Sequence, residues 1–132
     1  MTRVLFILIA FPIICGCTRD KYRNTVLREA NNVAHNSKAT LFIKDGDVSV
    51  LTYNVSILND NYTLTNGDTA NVFSFTDTDT SHLNKNNNSI ISMMWIGKTE
   101  LEIAHPQIGT VWKNESVINV DGITYHISYR IK

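Results

Sequence analysis

A mainly β fold is what this sequence predicts: a single small antiparallel sandwich or curled meander of about six to eight strands, preceded by a short N-terminal helix or linker. Three observations carry that expectation. Thr, Ser, Val, Ile and Asn are frequent while Ala and Glu are sparse, and β-branched side chains fit a pleated surface while Asn and Ser support turns. Apolar residues alternate with polar ones in several short runs, the period of a strand with one buried face. Turn signals such as Asp45-Gly46-Asp47, Asn66-Gly67 and Asp121-Gly122 separate those runs. A chain of 132 residues with 43% hydrophobic content suits one domain with its own core.

The N-terminus reads differently from the rest. Arg3 is the only positive side chain before an apolar run over residues 4–14. Such a run is short of the roughly 20 residues a spanning helix needs. A charged start, a short apolar stretch and small residues at its end describe a secretory leader. The expected division is therefore 1–16 as signal peptide, 17–37 as a leading segment and 38–132 as the β domain. Within 18–37, Tyr22, Val26, Ala30, Val33 and Ala34 fall near one side at helical spacing, and Asp20 is placed to cap the start. Several Asn residues, indifferent helix formers, shorten the helix expected there.

From residue 39 the pattern becomes that of strands. Residues 39–44 form the first run and 48–58 the second. In the second, Val48 and Val50 share one parity, while Tyr53, Val55 and Ile57 take the other, so a β-bulge near Leu51-Thr52 is needed to keep one face inward. A short segment at 62–64 lies between turns, and 71–75 is the next strand. Residues 76–88 form a polar loop with Leu83 as its one apolar side chain. Residues 89–96 are apolar on both parities, which predicts a central strand covered on both faces. Leu101 and Ile103 alternate inward in 100–104, Pro106 ends that run, and 110–113 adds a short strand. Residues 116–120 and 123–131 read as a hairpin around Asp121-Gly122, with Ile123, Tyr125, Ile127, Tyr129 and Ile131 on one face.

Ile14-Cys15-Gly16-Cys17 resembles the lipobox of bacterial lipoproteins. That resemblance implies a diacylglyceryl group on the thiol of Cys17 and signal cleavage after Gly16, with Cys15 leaving in the leader. Cys15 departs from the usual Ala or Ser of the motif. An ordinary signal peptide or an uncleaved anchor remain as alternatives. Cys17 would then be the one thiol of the mature chain, which rules out an intramolecular disulfide there. Two or three acyl chains would fix the protein to a membrane, since one chain alone binds marginally. Thr18 follows the Cys where an Asp is the retention signal of the inner membrane. In a Gram-negative host the expected location is thus the outer membrane, facing the periplasm; in a Gram-positive host it is the outer face of the cell membrane.

A second, looser resemblance covers residues 36–131. Asn54-Val55-Ser56-Ile57, the Trp95-to-Ile103 stretch and the Gly122-Ile-Thr-Tyr ending resemble an uncharacterised β domain of small bacterial lipoproteins and membrane-anchored proteins. Asn36-Ser37-Lys38 lacks the Pro and Gly of the turn that opens that domain. The resemblance implies a fold and an anchor, and no catalytic residue.

Chemistry is sparse. Lys plus Arg and Asp plus Glu both total 12, so no strong field draws the chain to nucleic acid. No nucleophile elbow or phosphate-binding glycine loop occurs. The four His residues are scattered without metal-binding spacing. Asp77, Asp79 and His82 are weak candidates for a divalent cation, but an EF-hand beginning at Asp77 would need Gly and Glu where His82 and Asn88 stand. Trp95, Trp112, Tyr125, Tyr129 and Phe75 either line a groove or complete the core. Sequons at Asn54, Asn61, Asn87 and Asn114 matter only for a eukaryotic secreted protein. The expectation is a membrane-anchored envelope lipoprotein, non-enzymatic and without cofactor, whose β domain binds an envelope protein or another envelope component. A phage-exclusion or wall-hydrolase-inhibitor lipoprotein, or an enzyme with dispersed active-site residues, are the competing expectations.

Overall fold

The computed structural model describes residues 23–45, 51–78 and 90–132. Nine strands occur among them: β1 (Arg23–Asn32), β2 (Ser37–Asp45), β3 (Thr52–Asn59), β4 (Phe73–Thr76), β5 (Ser92–Trp95), β6 (Glu100–His105), β7 (Thr110–Asn114), β8 (Val117–Val120) and β9 (Ile123–Ile131). They form two sheets, one in the order β1-β2-β3-β4-β7 and one in the order β5-β6-β9-β8. This is the predicted mainly β, sandwich-like architecture. No helix of the described residues is long and apolar enough to cross a membrane.

Period-two alternation decides which side chains are inside. Ala39, Leu41 and Ile43 of β2, Tyr53, Val55 and Ile57 of β3, and Phe73 and Phe75 of β4 turn one face of the larger sheet inward. Leu101 and Ile103 of β6 and Tyr125 and Ile127 of β9 answer from the smaller sheet. Each such aliphatic side chain contributes about 1.5–3 kcal/mol on burial. Polar groups clamp the two layers at defined points. Tyr125 Oη donates to Ser37 Oγ at 2.9 Å within the interior, and Trp95 Nε1 donates to the Ala30 carbonyl at 2.8 Å. Asn32 Nδ2 donates to the Lys98 carbonyl at 2.8 Å.

Two hairpins follow from their turn residues. Asp121 and Gly122 both have positive φ, 51° and 81°, which is the type I′ pattern whose twist matches flanking strands. Asn36, at φ 49°, closes the β1–β2 turn in the left-handed region that Asn tolerates.

Several expectations are corrected. Residues 23–32 are a strand, not a helix, and they pair with β2 from Arg23↔Asp45 to Asn32↔Ser37. The β structure therefore extends back to Arg23 rather than beginning at 38. Residues 62–64 are not a strand; they belong to an irregular crossing over the larger sheet. The run expected as a central strand yields only β5, which sits at the edge of its sheet with Met94 56% exposed. Its apolar character has another cause: Ile90 and Ile91 enter the core from the approach to the strand. The pairing is not wholly antiparallel either, because β6 and β9 run parallel. The chain leaves β6 for β7 in the other sheet and returns through the β8–β9 hairpin, so β9 reaches β6 in the same direction. The bulge expected near Leu51-Thr52 falls at a boundary, since β3 begins at Thr52 and residues 46–50 lie outside the described set.

One buried group makes a stability prediction. Thr40 is fully buried on the outer face of β2, and its Oγ1 has no hydrogen-bond partner among the described residues. Thr40→Val keeps the shape and removes the unsatisfied hydroxyl, so it should stabilise the fold by about 1 kcal/mol. Urea denaturation checks this; a less stable variant would show that the hydroxyl is bonded.

Candidate functional site

The outer face of the larger sheet carries the site. Cross-strand pairing sets Phe42 of β2 opposite Asn54 of β3, Asn54 opposite Ser74 of β4, and Ser74 opposite Lys113 of β7. These four form a row across the sheet on the side away from the core. A second row begins with Lys44 opposite Thr52, which in turn faces Thr76. Of these two rows all but Thr76 line a groove of about 430 Å³, together with Asp68, Thr69, Ala70 and Trp112. That volume lies within the range of small-molecule sites, about 300–1,000 Å³.

One wall is the crossing segment between β3 and β4, and side-chain amides hold it in place. Asn71 continues the β3 ladder: its Oδ1 accepts from Ile57 N at 2.9 Å and its Nδ2 donates to Ile57 O at 2.8 Å. Ser56 Oγ accepts from Asn71 N at 3.1 Å and donates to the Thr69 carbonyl at 3.4 Å. From β1, Asn24 Nδ2 donates to the carbonyls of Thr65 and Asp68 at 2.7 and 2.9 Å. The Asp68 carboxylate accepts from Thr65 N at 2.6 Å and from Tyr62 Oη at 2.9 and 3.0 Å. The Thr65 amide chiefly holds that carboxyl below its usual range, with further help from the Tyr62 and Thr65 hydroxyls and the Lys44 ammonium. The same bond to Asp68 is the main reason the Tyr62 phenol titrates above its ordinary value.

The other wall is an indole placed by a β-bulge. Along the β4–β7 pair the register jumps from Ser74↔Lys113 to Phe75↔Val111, so Trp112 is the extra residue. A bulge leaves its extra residue unpaired and re-aims the side chain. Trp112 Nε1 donates to Thr76 Oγ1 at 2.8 Å, and Thr76 Oγ1 lies 3.0 Å from Thr52 Oγ1. The ring is thus pinned by its polar edge while Trp112 remains 69% exposed. The floor is fixed too: Asn54 Nδ2 donates to the Thr52 carbonyl at 3.1 Å, and Ser74 Oγ donates to Asn54 Oδ1 at 3.0 Å.

The residues singled out in the sequence are distributed otherwise. Gly16, Cys17, Asp79 and His82 lie outside the described residues. Asp77 is buried after β4, near enough to Tyr53 for its charge to add to the burial that raises the Tyr53 phenol. No group of three or more His, Cys, Asp or Glu side chains suited to a metal gathers among the described residues. Of the five aromatics, only Trp112 lines the groove; Phe75, Trp95, Tyr125 and Tyr129 belong to the core or pack against it. His105 packs tilted against Phe73 and Phe75 and edge-on to Tyr129. Sequence reasoning missed Lys44, Thr52, Asn54, Asp68, Ser74 and Lys113 as site residues. The available signal was the polar series Thr52, Asn54, Ser56, which alternates with Tyr53, Val55 and Ile57.

Comparison with protein-family models, curated proteins and solved structures gives no match, and adds nothing to the resemblance drawn from residues 36–131.

Proposed function

We propose that this chain is a lipid-anchored, non-catalytic binding module of the bacterial cell envelope, with the outer-face groove as its binding site. The observation that carries the binding role is the indole of Trp112, fixed by its N–H yet mostly exposed beside a cavity of about 430 Å³. An aromatic held rigid and left uncovered loses little entropy when a ligand settles on it. The anchor rests on the lipobox resemblance at Ile14-Cys15-Gly16-Cys17. The lipid on Cys17 would hold the domain at the membrane, at the outer membrane facing the periplasm or at the outer face of a single membrane, according to the host.

Two measurements test the two halves. The full chain expressed in a bacterial host should partition with membranes and carry acyl mass on Cys17, while Cys17→Ser should be released; a soluble wild type with a free thiol would remove the anchor. For the groove, a photoreactive benzophenone side chain placed at Thr52 should give discrete envelope adducts. The same group placed at Ser128, on the outer face of the smaller sheet, should not. Equal labelling from both positions would count decisively against the groove.

A further inference from the structure

We propose that the groove binds a neutral saccharide, with one sugar ring stacked on Trp112. This inference rests on the groove being the binding site and adds the chemistry of what enters it.

Charge balance favours a neutral ligand. The positive charges of Lys44 and Lys113 on the lining are offset nearby by the carboxylates of Asp68 and Glu115. Asp68 is engaged by Thr65 and Tyr62 and feels the Lys44 ammonium. Lys113 Nζ lies 4.0 Å from Glu115 Oε1. An anionic ligand would compete with Asp68 and Glu115 for the two lysines, and a cation would meet both ammoniums. No unbalanced charge remains to reward either, and desolvating a charged ligand without a partner is costly.

The remaining surface matches a polyol. An indole face is electron-rich, and the weakly polarised C–H groups on the face of a sugar ring suit it, by the same electrostatics that aim aromatic edges at aromatic faces. The floor offers an amide and hydroxyls whose capacity is only partly used. Asn54 Nδ2 has two hydrogens and gives one to Thr52 O; Ser74 Oγ donates to Asn54 Oδ1 and keeps its lone pairs. An indole N–H only donates, so Thr76 Oγ1 accepts from Trp112 and can pass its own hydrogen to Thr52, freeing the Thr52 hydroxyl to donate outward. Donors and acceptors thus lie beside an apolar platform, above the buried ring of Phe42. An apolar peptide side chain would leave their remaining hydrogen-bonding capacity unused.

The test is titration of the isotopically labelled full chain in sugar-free detergent micelles, following the Trp112 indole N–H resonance. The probes are chitotetraose and maltotetraose, both neutral, and tetragalacturonate, which is anionic. At least one neutral probe should shift the resonance saturably and bind tighter than tetragalacturonate. Trp112→Ala should lose at least tenfold in affinity for it with an unchanged melting temperature. Silence from both neutral probes up to about 10 mM, a concentration that detects even millimolar binding, would overturn the proposal. Tighter binding of tetragalacturonate, or unchanged affinity in Trp112→Ala, would do the same. If the saccharides fail while adducts from position 52 persist, the ligand class is wrong and the groove stands. If both fail, both fall.

Discussion

Gly109→Ala should lower the unfolding free energy by roughly 3 kcal/mol, because two separate costs meet at one position. Gly109 has φ +148°, which L side chains rarely adopt. A Cβ there would sit 2.1 Å from Phe75 Cζ, 2.5 Å from Phe75 Cε2 and 2.8 Å from the Thr76 carbonyl oxygen. The ring cannot retreat easily. Phe75 is fully buried, stacked on Phe73 at 6.2 Å and tilted against His105 at 5.6 Å. The carbonyl is β4 backbone. Gly122→Ala is the control, since its φ is +81° but nothing lies within 4 Å of a Cβ placed there. It should cost about 1 kcal/mol, the conformational part alone. Urea titrations at constant m-value give both numbers. If the two variants lose equal stability, the collision with Phe75 is not real. The Trp112 indole resonance should move in Gly109→Ala as well, because Thr76, which accepts its N–H, adjoins Phe75.

What was legible in the sequence follows from which forces are local. Alternation placed β2, β4, β6 and β9 within a residue or two, because a half-buried strand must repeat every second residue. Asp121-Gly122 announced its turn because few other pairs supply two positive φ values. β1 was misread for a physical reason. Its register shifts between Val26 and Arg28, so Leu27 is an extra residue. Leu27 and Ala30 both pack against the core, three positions apart. The helical side read in the sequence used Val26, Ala30 and Val33 instead, and of these Val26 and Val33 are exposed, so the bulge at Leu27 is what hid the strand's true inward face. The edge position of β5 was hidden by Ile90 and Ile91, which are buried without being in the strand.

The groove was illegible for a related reason: it is assembled by long-range contacts. Its polar floor lies in plain alternation, but polar residues facing away from a core usually meet bulk water. Here the crossing segment covers them, held by Asn71 on β3 and by Asn24 on β1. Nothing in the spacing of Asn24 and Thr65 announces that they touch. Trp112 stood out as an aromatic, yet the bulge that aims it is a property of the β4–β7 register. Asn54 drew notice as a sequon and as part of the Asn54-Val55-Ser56-Ile57 resemblance, not as a site residue, whereas its side chain is largely buried and bonded to Thr52 and Ser74.

Tyr129 should make the fold sensitive to alkali. Its hydroxyl donates to the Glu115 carbonyl at 2.7 Å and approaches the Val72 carbonyl at 3.3 Å, tying β9 of one sheet to segments flanking β7 and β4 of the other. Burial, with a further push from the Glu115 carboxylate, raises its titration well above the ordinary tyrosine value. A folded-state value above the unfolded one means that the native state holds the proton more tightly. The stability this contributes is complete below about pH 10, where the unfolded phenol begins to ionise, and drains away as pH rises beyond it. Tyr53, raised by burial and by Asp77, adds in the same direction, while Lys132, lowered chiefly by burial, opposes it. Tyr129→Phe separates the contributions. At neutral pH it should lose about 0.5–1.5 kcal/mol, the net contribution of an ordinary hydrogen bond, because the Glu115 carbonyl is exposed to water and the Val72 carbonyl still accepts from Glu115 N at 2.9 Å. Between about pH 10 and 12 its stability should then fall less steeply than that of the parent, and the two curves should converge. Parallel curves from denaturant titrations across that range would mean that the Tyr129 proton is not what joins the sheets at this end.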